Sequence, residues 1–182
     1  MVDAERVVQD WPDTSHGYVW KARALSALGL RYAGQTVLRE FLAKGHDDVA
    51  VYWLADLLFY GDEDEEAVRV LQANFENGDA DYYDHEFMAM MMLDADDFAT
   101  AHTHIDAALA LDPEAVYPIF YRSLILVAEG EYDTAEGKFL DALRGGLPRH
   151  RIAFFIGALT EQRQMERAVE FRTKANLVSA GD

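Results

Sequence analysis

Apolar and polar positions along the chain return at helical intervals. Tyr132, Ala135, Phe139 and Ala142 step by 3, 4 and 3, which brings all four to one face of a helix, and Phe98, Ala101, Ile105 and Ala108 repeat the pattern one segment earlier. The same stripes recur at a longer period. Trp20, Trp53, Phe87, Tyr121 and Phe155 are 33, 34, 34 and 34 positions apart, and two residues further on stands a column of small side chains: Ala22, Ala55, Ala89, Ser123 and Gly157. A third column is Ala33, Ala67, Ala101, Ala135 and Ala168. Small residues at two fixed places in a unit of about 34 residues mark helices that cross closely, so the pattern predicts helical hairpins copied about five times. Breaks at Leu28-Gly29, Gly61-Asp62, Asp94-Ala95-Asp96-Asp97 and Glu129-Gly130-Glu131 divide the units into two helices each. The predicted helices lie near 15–28 and 31–43, 48–60 and 63–76, 82–94 and 98–110, 115–128 and 132–144, and 149–162 and 165–178.

These segments resemble tetratricopeptide repeats. Residues 82–115 carry the resemblance best, through Ala89, Met92, Phe98, Ala101, Ile105, Ala108 and the closing Leu109-Ala110-Leu111-Asp112-Pro113. Residues 116–149 follow through Ser123, Gly130-Glu131-Tyr132, Ala135, Phe139, Ala142 and a Pro148 displaced by one. The likeness weakens at both ends: Lys21 takes a usually apolar place, and the fifth turn is about one residue short before Met165 and Ala168. The resemblance implies an all-α solenoid, a right-handed superhelix of about five helix-turn-helix repeats near 14–47, 48–81, 82–115, 116–149 and 150–182. Ala4, Val7 and Val8 before Pro12 form one apolar face, so residues 1–13 are expected to add an N-terminal helix. It is either a cap or the remnant of a longer array.

Composition is consistent with one domain over 1–182: 51% of residues are hydrophobic and 27% charged, with no Gly/Ser- or Pro-rich linker. No window approaches the ~18 apolar residues of a membrane span and no basic start leads into an apolar run, so the expected location is cytoplasmic, without membrane insertion. The absence of cysteine removes disulfides, thiolate metal sites and thiol nucleophiles. Charge is unevenly spread. Residues 1–46 hold 6 Lys/Arg and 5 Asp/Glu, residues 47–136 hold 2 and 23, and residues 137–182 hold 8 and 5, giving +1, −21 and +3. Such a middle repels nucleic acid and favours a basic partner. Solubility or adaptation to a salt-rich cytoplasm is the competing account, consistent with 12 Arg against 4 Lys.

Candidate chemistry is sparse. His102 and His104 are two apart on a predicted helix and point to different sides, and His16, His46, His85 and His150 are scattered, so no metal site is expected. Asp62-Glu63-Asp64-Glu65-Glu66 lacks the turn glycine and closing Glu of a calcium loop and reads as the negative start of a helix. No nucleophile elbow, Walker loop or dinucleotide fingerprint is present, so neither catalysis nor a cofactor is expected.

In the tetratricopeptide family the first helix of each unit lines the inside of the superhelix. The resemblance therefore implies a peptide-binding groove formed by Tyr52, Trp53, Phe59, Tyr83, Phe87, Met90, Tyr117, Phe120, Tyr121, Leu124 and Phe154, with Asp56, Glu86, Arg151 and Phe155 beside them. The Lys, Asn and Arg clamp by which some members hold acidic C-terminal tails is replaced here by Val19, Arg23, Trp53, Tyr83 and Phe87. Aromatic rings beside an unbranched methionine suit an apolar or amphipathic peptide or helix. Of the run Met88-Ala89-Met90-Met91-Met92, Met88 and Met92 are expected in the core, and Met90 and Met91 are left for the groove or its edge. The function expected is a non-catalytic interaction scaffold or adaptor for a protein or peptide. Alternatives are a client-specific chaperone like those of bacterial secretion systems and an accessory repeat region of a larger enzyme.

Overall fold

The computed structural model describes residues 14–178, so the helix expected at 1–13 lies outside the described residues. The described residues form ten α-helices and no strand. In chain order they are α1 Ser15–Ala27, α2 Arg31–Leu42, α3 Asp48–Phe59, α4 Asp64–Asn77, α5 Tyr82–Asp94, α6 Phe98–Leu111, α7 Val116–Ala128, α8 Tyr132–Arg144, α9 Ile152–Glu161 and α10 Met165–Leu177. A 3₁₀ turn, Arg149–Arg151, precedes α9 where Pro148 holds the chain extended, and it takes the place of the first helical turn predicted there. The helices gather into two compact units, one ending at Ala80 and the other starting at Asp81.

Every hairpin turns by the same device. Gly29, Asp62, Asp96, Gly130 and Arg163 all have positive φ, between 57° and 84°. In each turn the amide one residue later donates to a carbonyl five residues back, as from Leu30 to Leu25, Glu63 to Leu58, Asp97 to Met92, Glu131 to Leu126 and Gln164 to Leu159. This left-handed C-terminal cap recurs at the repeat period, yet only two of its five residues are glycine. Aspartate tolerates the conformation through its short polar side chain, whereas at Arg163 the Cβ meets the steric penalty that glycine avoids.

The first unit holds α1–α4. Its core is Ala22, Leu38, Ala50, Ala55, Leu58, Ala67 and Leu71, all without exposed surface. Hairpin α1–α2 is the tightest crossing. A Cβ at Gly34 would stand 2.6 Å from the Ala22 carbonyl oxygen and 3.3 Å from Leu57 Cδ1. The small residue of the first repeat is therefore Gly34, while Ala33, which the repeat columns suggest, is exposed. A polar link joins the two hairpins: buried Gln35 donates from Nε2 to Glu63 Oε1 at 2.7 Å, beside an Arg39–Glu66 pair at 2.7 Å. Asp64, Glu65 and Glu66 occupy the first turn of α4, where the helix dipole favours them.

The second unit holds α5–α10 around a chain of rings. Phe139 lies 5.7 Å from Phe120, 4.6 Å from Phe155 and 5.4 Å from Phe171, and Phe155 lies 4.5 Å from Phe171. All four are buried. Ala89, Ala101, Ser123 and Ala135 sit at the crossings with no exposed surface. Met88 and Met91 are core, while Met92 is only partly buried, because the face of α5 toward α6 runs 88-89-91 rather than through 92. Buried Glu136 accepts from Arg167 at 2.9 Å and Lys174 at 2.8 Å, which ties α8 to α10. The small column fails at its last member. A Cβ at Gly157 would find no atom within 4 Å; Gly157 stands six residues before the left-handed Arg163, where Ala22, Ala55, Ala89 and Ser123 stand seven before theirs, and the turn itself, 162–164, is as long as those at 28–30, 95–97 and 129–131.

Two glycines of similar appearance in the sequence should thus respond oppositely. Gly34→Ala should destabilise by about 1–3 kcal/mol through overpacking against the α1 backbone. Gly157→Ala should stabilise by about 0.5–1 kcal/mol by removing glycine's backbone freedom from a helix interior. Urea unfolding of both variants measures the difference, and equal shifts would contradict the crossing geometry.

Candidate functional site

In the second unit the outer faces of α5, α7 and α9 carry a mixed aromatic and charged surface. Positions 83, 117 and 151 form a column of Tyr83, Tyr117 and Arg151, and the next column, three residues on, is Glu86, Phe120 and Phe154. Tyr83 is 61% exposed and Phe154 56% exposed. The Arg151 guanidinium lies 5.5 Å from the Tyr117 ring centre, 5.7 Å from Phe120 and 5.2 Å from Phe154, within the range of cation–π attraction. Burial pushes the Glu86 carboxyl above the usual carboxylate range, opposed by its hydrogen bond with Tyr82 and by the charge of Arg151. The Tyr82 phenol is raised in turn by burial and by Glu86.

Three residues expected in a binding groove are core instead. Phe87, Phe120 and Tyr121 are 5%, 1% and 5% exposed. Phe87 and Tyr121 belong to the same column as buried Phe155, which faces neighbouring helices. Phe120 is covered by Arg151 on one side and meets Phe139 edge-on at 73° on the other. Tyr83, Tyr117 and Phe154 remain accessible or half-buried, with Met90 and Leu124 half-buried between them.

Toward the C-terminal ends of the same helices this face deepens into a cleft of about 640 Å³. Leu93, Phe98, Leu124, Val127 and Phe154 give it apolar walls, Ala153, Gly157 and Ala158 form its α9 side, and Asp94, Asp96 and Glu161 stand on its rim. Leu93, Phe98, Gly157 and the three acids are not among the site residues that the sequence predicts. The only hint of this role is Gly157 itself, small where the fifth repeat is a residue short.

In the first unit Arg23 lies 4.0 Å over the Trp53 ring and 5.2 Å from Trp20, which is 58% exposed. Tyr52 meets Trp53 edge-on at 5.6 Å, and Phe59 meets Tyr60 in the same manner at 5.4 Å. Tyr52, Trp53 and Phe59 are all half-buried. Between them Asp56 is pushed up to about 6 by burial, which outweighs the opposing charge of Arg23. Its repeat equivalents Met90, Leu124 and Ala158 are apolar, so a carboxyl here stands on a surface built for hydrocarbon.

The histidines form no ligand cluster. His85 and His104 approach at 3.1 Å through their Nδ1 atoms, and burial holds both below the usual imidazole range. His102 faces away toward Glu129 at 3.5 Å. Among the described residues no group of three or more His, Asp or Glu is arranged to hold a metal ion, and no helix is long and apolar enough to cross a membrane.

Asp56 gives a pH signature. Its carboxyl titrates near 4 when unfolded and near 6 when folded, so in this window the folded state keeps a proton that the unfolded state has lost, and stability falls as pH rises. Asp56→Asn should flatten that slope and stabilise the protein at pH 7 by on the order of 1–2 kcal/mol, allowing for solvent screening. Urea unfolding at pH 4 and pH 7 compares the two proteins. An unchanged slope would mean that Asp56 is fully solvated.

No protein-family model matches the sequence, and no curated protein matches it. Solved structures do. YrrB, described as a tetratricopeptide repeat protein with an unusual peptide-binding site, is 16% identical and superposes with a TM-score of 0.67 over 95% of this chain and 90% of its own. TTC0263, a thermophilic tetratricopeptide repeat protein of Thermus thermophilus, is 17% identical with a TM-score of 0.70 over 89% and 90%. A chain of the APC/C hetero-tetramer Cut9–Hcn1, 11% identical, gives 0.78 over 97% of this chain and 36% of that one. With its helical hairpins, left-handed turns and small-residue crossings, the chain is a tetratricopeptide-like protein in its fold.

Proposed function

We propose that the chain is a non-catalytic interaction scaffold that holds an apolar or amphipathic stretch of a protein partner on the α5–α7–α9 face. The observation that carries this reading is the exposure of Tyr83 and Phe154, the latter beside the Arg151 cation, on helices where Phe87, Phe120, Tyr121 and Phe155 are buried. A soluble surface that keeps large rings accessible beside a fixed cation is suited to anchoring a partner, since a few aromatic and arginine positions usually dominate interface energy. The fold supports the reading in general terms, and the 23 Asp/Glu against 2 Lys/Arg in residues 47–136 favour a partner with basic groups.

The test begins with photo-crosslinking residues placed at Met90 or Leu124 and, on the other helix layer, at exposed Thr134 or Lys138, in the native host. The captured protein is then purified for affinity measurements. Phe154→Ala should weaken binding by about 2 kcal/mol, roughly thirtyfold, with little loss of stability. Phe120→Ala should instead cost about 3–5 kcal/mol of stability through the cavity it opens. Crosslinking confined to 134 and 138, or loss of binding only when the acidic turn at 62–66 is neutralised, would place recognition elsewhere.

A further inference from the structure

We propose that the cleft at the C-terminal ends of α5, α7 and α9 receives a basic amphipathic helix, its apolar side chains in the cleft and its Lys or Arg residues at the rim. This rests on the reading that the α5–α7–α9 face binds a polypeptide, and it names the class of segment bound. Asp94 and Glu161 are the last residues of α5 and α9, and Ala128, also on the cleft, ends α7, so three helix C-termini converge there. Each brings about half a negative charge, added to the carboxylates of Asp94, Asp96 and Glu161. Among the described residues no Lys, Arg or His lines the cleft.

The walls between these acids are hydrocarbon. A cation alone would leave Leu93, Phe98 and Leu124 in water, and an apolar segment alone would leave the negative rim without a counter-charge. A helix with one apolar and one basic face satisfies both. The α9 side admits close approach, since at Gly157 a Cβ would meet nothing within 4 Å. In the other repeats the equivalent small residue is sealed by the hairpin's own second helix; at Gly157 that space is open to the cleft.

The experiment uses the full chain and two fluorescein-labelled 15-residue helical peptides, one of Leu and Lys and one of Leu and Glu in the same pattern, in fluorescence anisotropy at physiological salt. The Leu/Lys peptide should bind at least about tenfold tighter than Leu/Glu. The triple variant Asp94→Asn, Asp96→Asn, Glu161→Gln should weaken it by about tenfold or more, and Asn at 96 suits the left-handed backbone there. Gly157→Leu should abolish binding by filling the cleft. Ala153→Gln, at an exposed site on α9, should weaken it without touching the core, and thermal melts confirm folding of each variant. A control triple in the other unit, Asp62→Asn, Asp64→Asn, Glu65→Gln, should stay within about twofold, because exposed charges away from the binding site are largely screened by salt.

Equal losses in the two triples would reduce the effect to bulk charge and overturn the proposal. Equal binding of both peptides, or full binding by the folded Gly157→Leu and Ala153→Gln variants, would overturn it as well. If those cleft variants bind normally while Tyr83→Ala does not, the face binds polypeptide but the cleft is not the seat. If Tyr83→Ala and Phe154→Ala also bind normally, the reading of the face falls with it.

Discussion

Close approach of two helix backbones within each hairpin is the constraint on which this fold depends. At the first crossing it is so near that even a methyl group would collide with the Ala22 carbonyl, and Gly34 is the residue that permits it. At Ala55–Ala67, Ala89–Ala101 and Ser123–Ala135 a methyl or hydroxymethyl fits and nothing larger is present. The distance between these two small positions fixes the turn between them, and the left-handed residue at its centre fixes the direction in which the chain returns. Helix faces then follow from the 100° step. Residues that share the crossing side are buried, and those about half a turn away remain for other contacts.

That geometry divides the aromatic residues into two populations. Phe120, Phe139, Phe155 and Phe171 join in tilted and edge-on contacts that hold two hairpins of the second unit, α7–α8 and α9–α10, on one core. Tyr83, Tyr117 and Phe154 lie outside this chain of rings; Tyr83 meets Tyr82 edge-on, and Tyr117 and Phe154 flank Arg151, whose Nε is buried without a hydrogen-bond acceptor and whose cation is held by ring faces instead. Phe120 belongs to both neighbourhoods in distance and to the core in exposure. Charge follows the helix axes as well: Arg151 stands at the start of α9 and Glu161 at its end, so the surface runs from cationic and aromatic to apolar and acidic along one helix.

The helix boundaries were legible because each unit repeats the stripe, the break and the crossing residue together. The predicted spans 82–94 and 132–144 coincide with α5 and α8, and the other helices differ at their ends by a residue, except where the 3₁₀ turn precedes α9. Column positions were legible only where spacing is regular. Ala33 sits one residue from the true crossing because the first two repeats are 33 apart, and Gly157 leaves the crossing because it lies six residues, not seven, before its left-handed turn residue. The site was less legible. An aromatic residue on a helix gives the same pattern whether it faces core or solvent, and the difference between Phe120 and Phe154, equivalent positions one repeat apart, lies in the Phe139 and Tyr121 rings packed on the first and the open cleft beside the second. The acids of the cleft rim appear in sequence as ordinary turn residues, and only the convergence of three helix ends makes them a group.

Hydroxyl-radical footprinting of the free protein, read residue by residue by mass spectrometry, tests most directly whether the rings divide in this way. Tyr83 and Phe154 should be modified rapidly, while Phe87, Phe120, Tyr121 and Phe155 should be protected until the protein unfolds. Modification of Phe120 or Tyr121 at the rate of Phe154 in the native state would contradict the division between core and exposed rings.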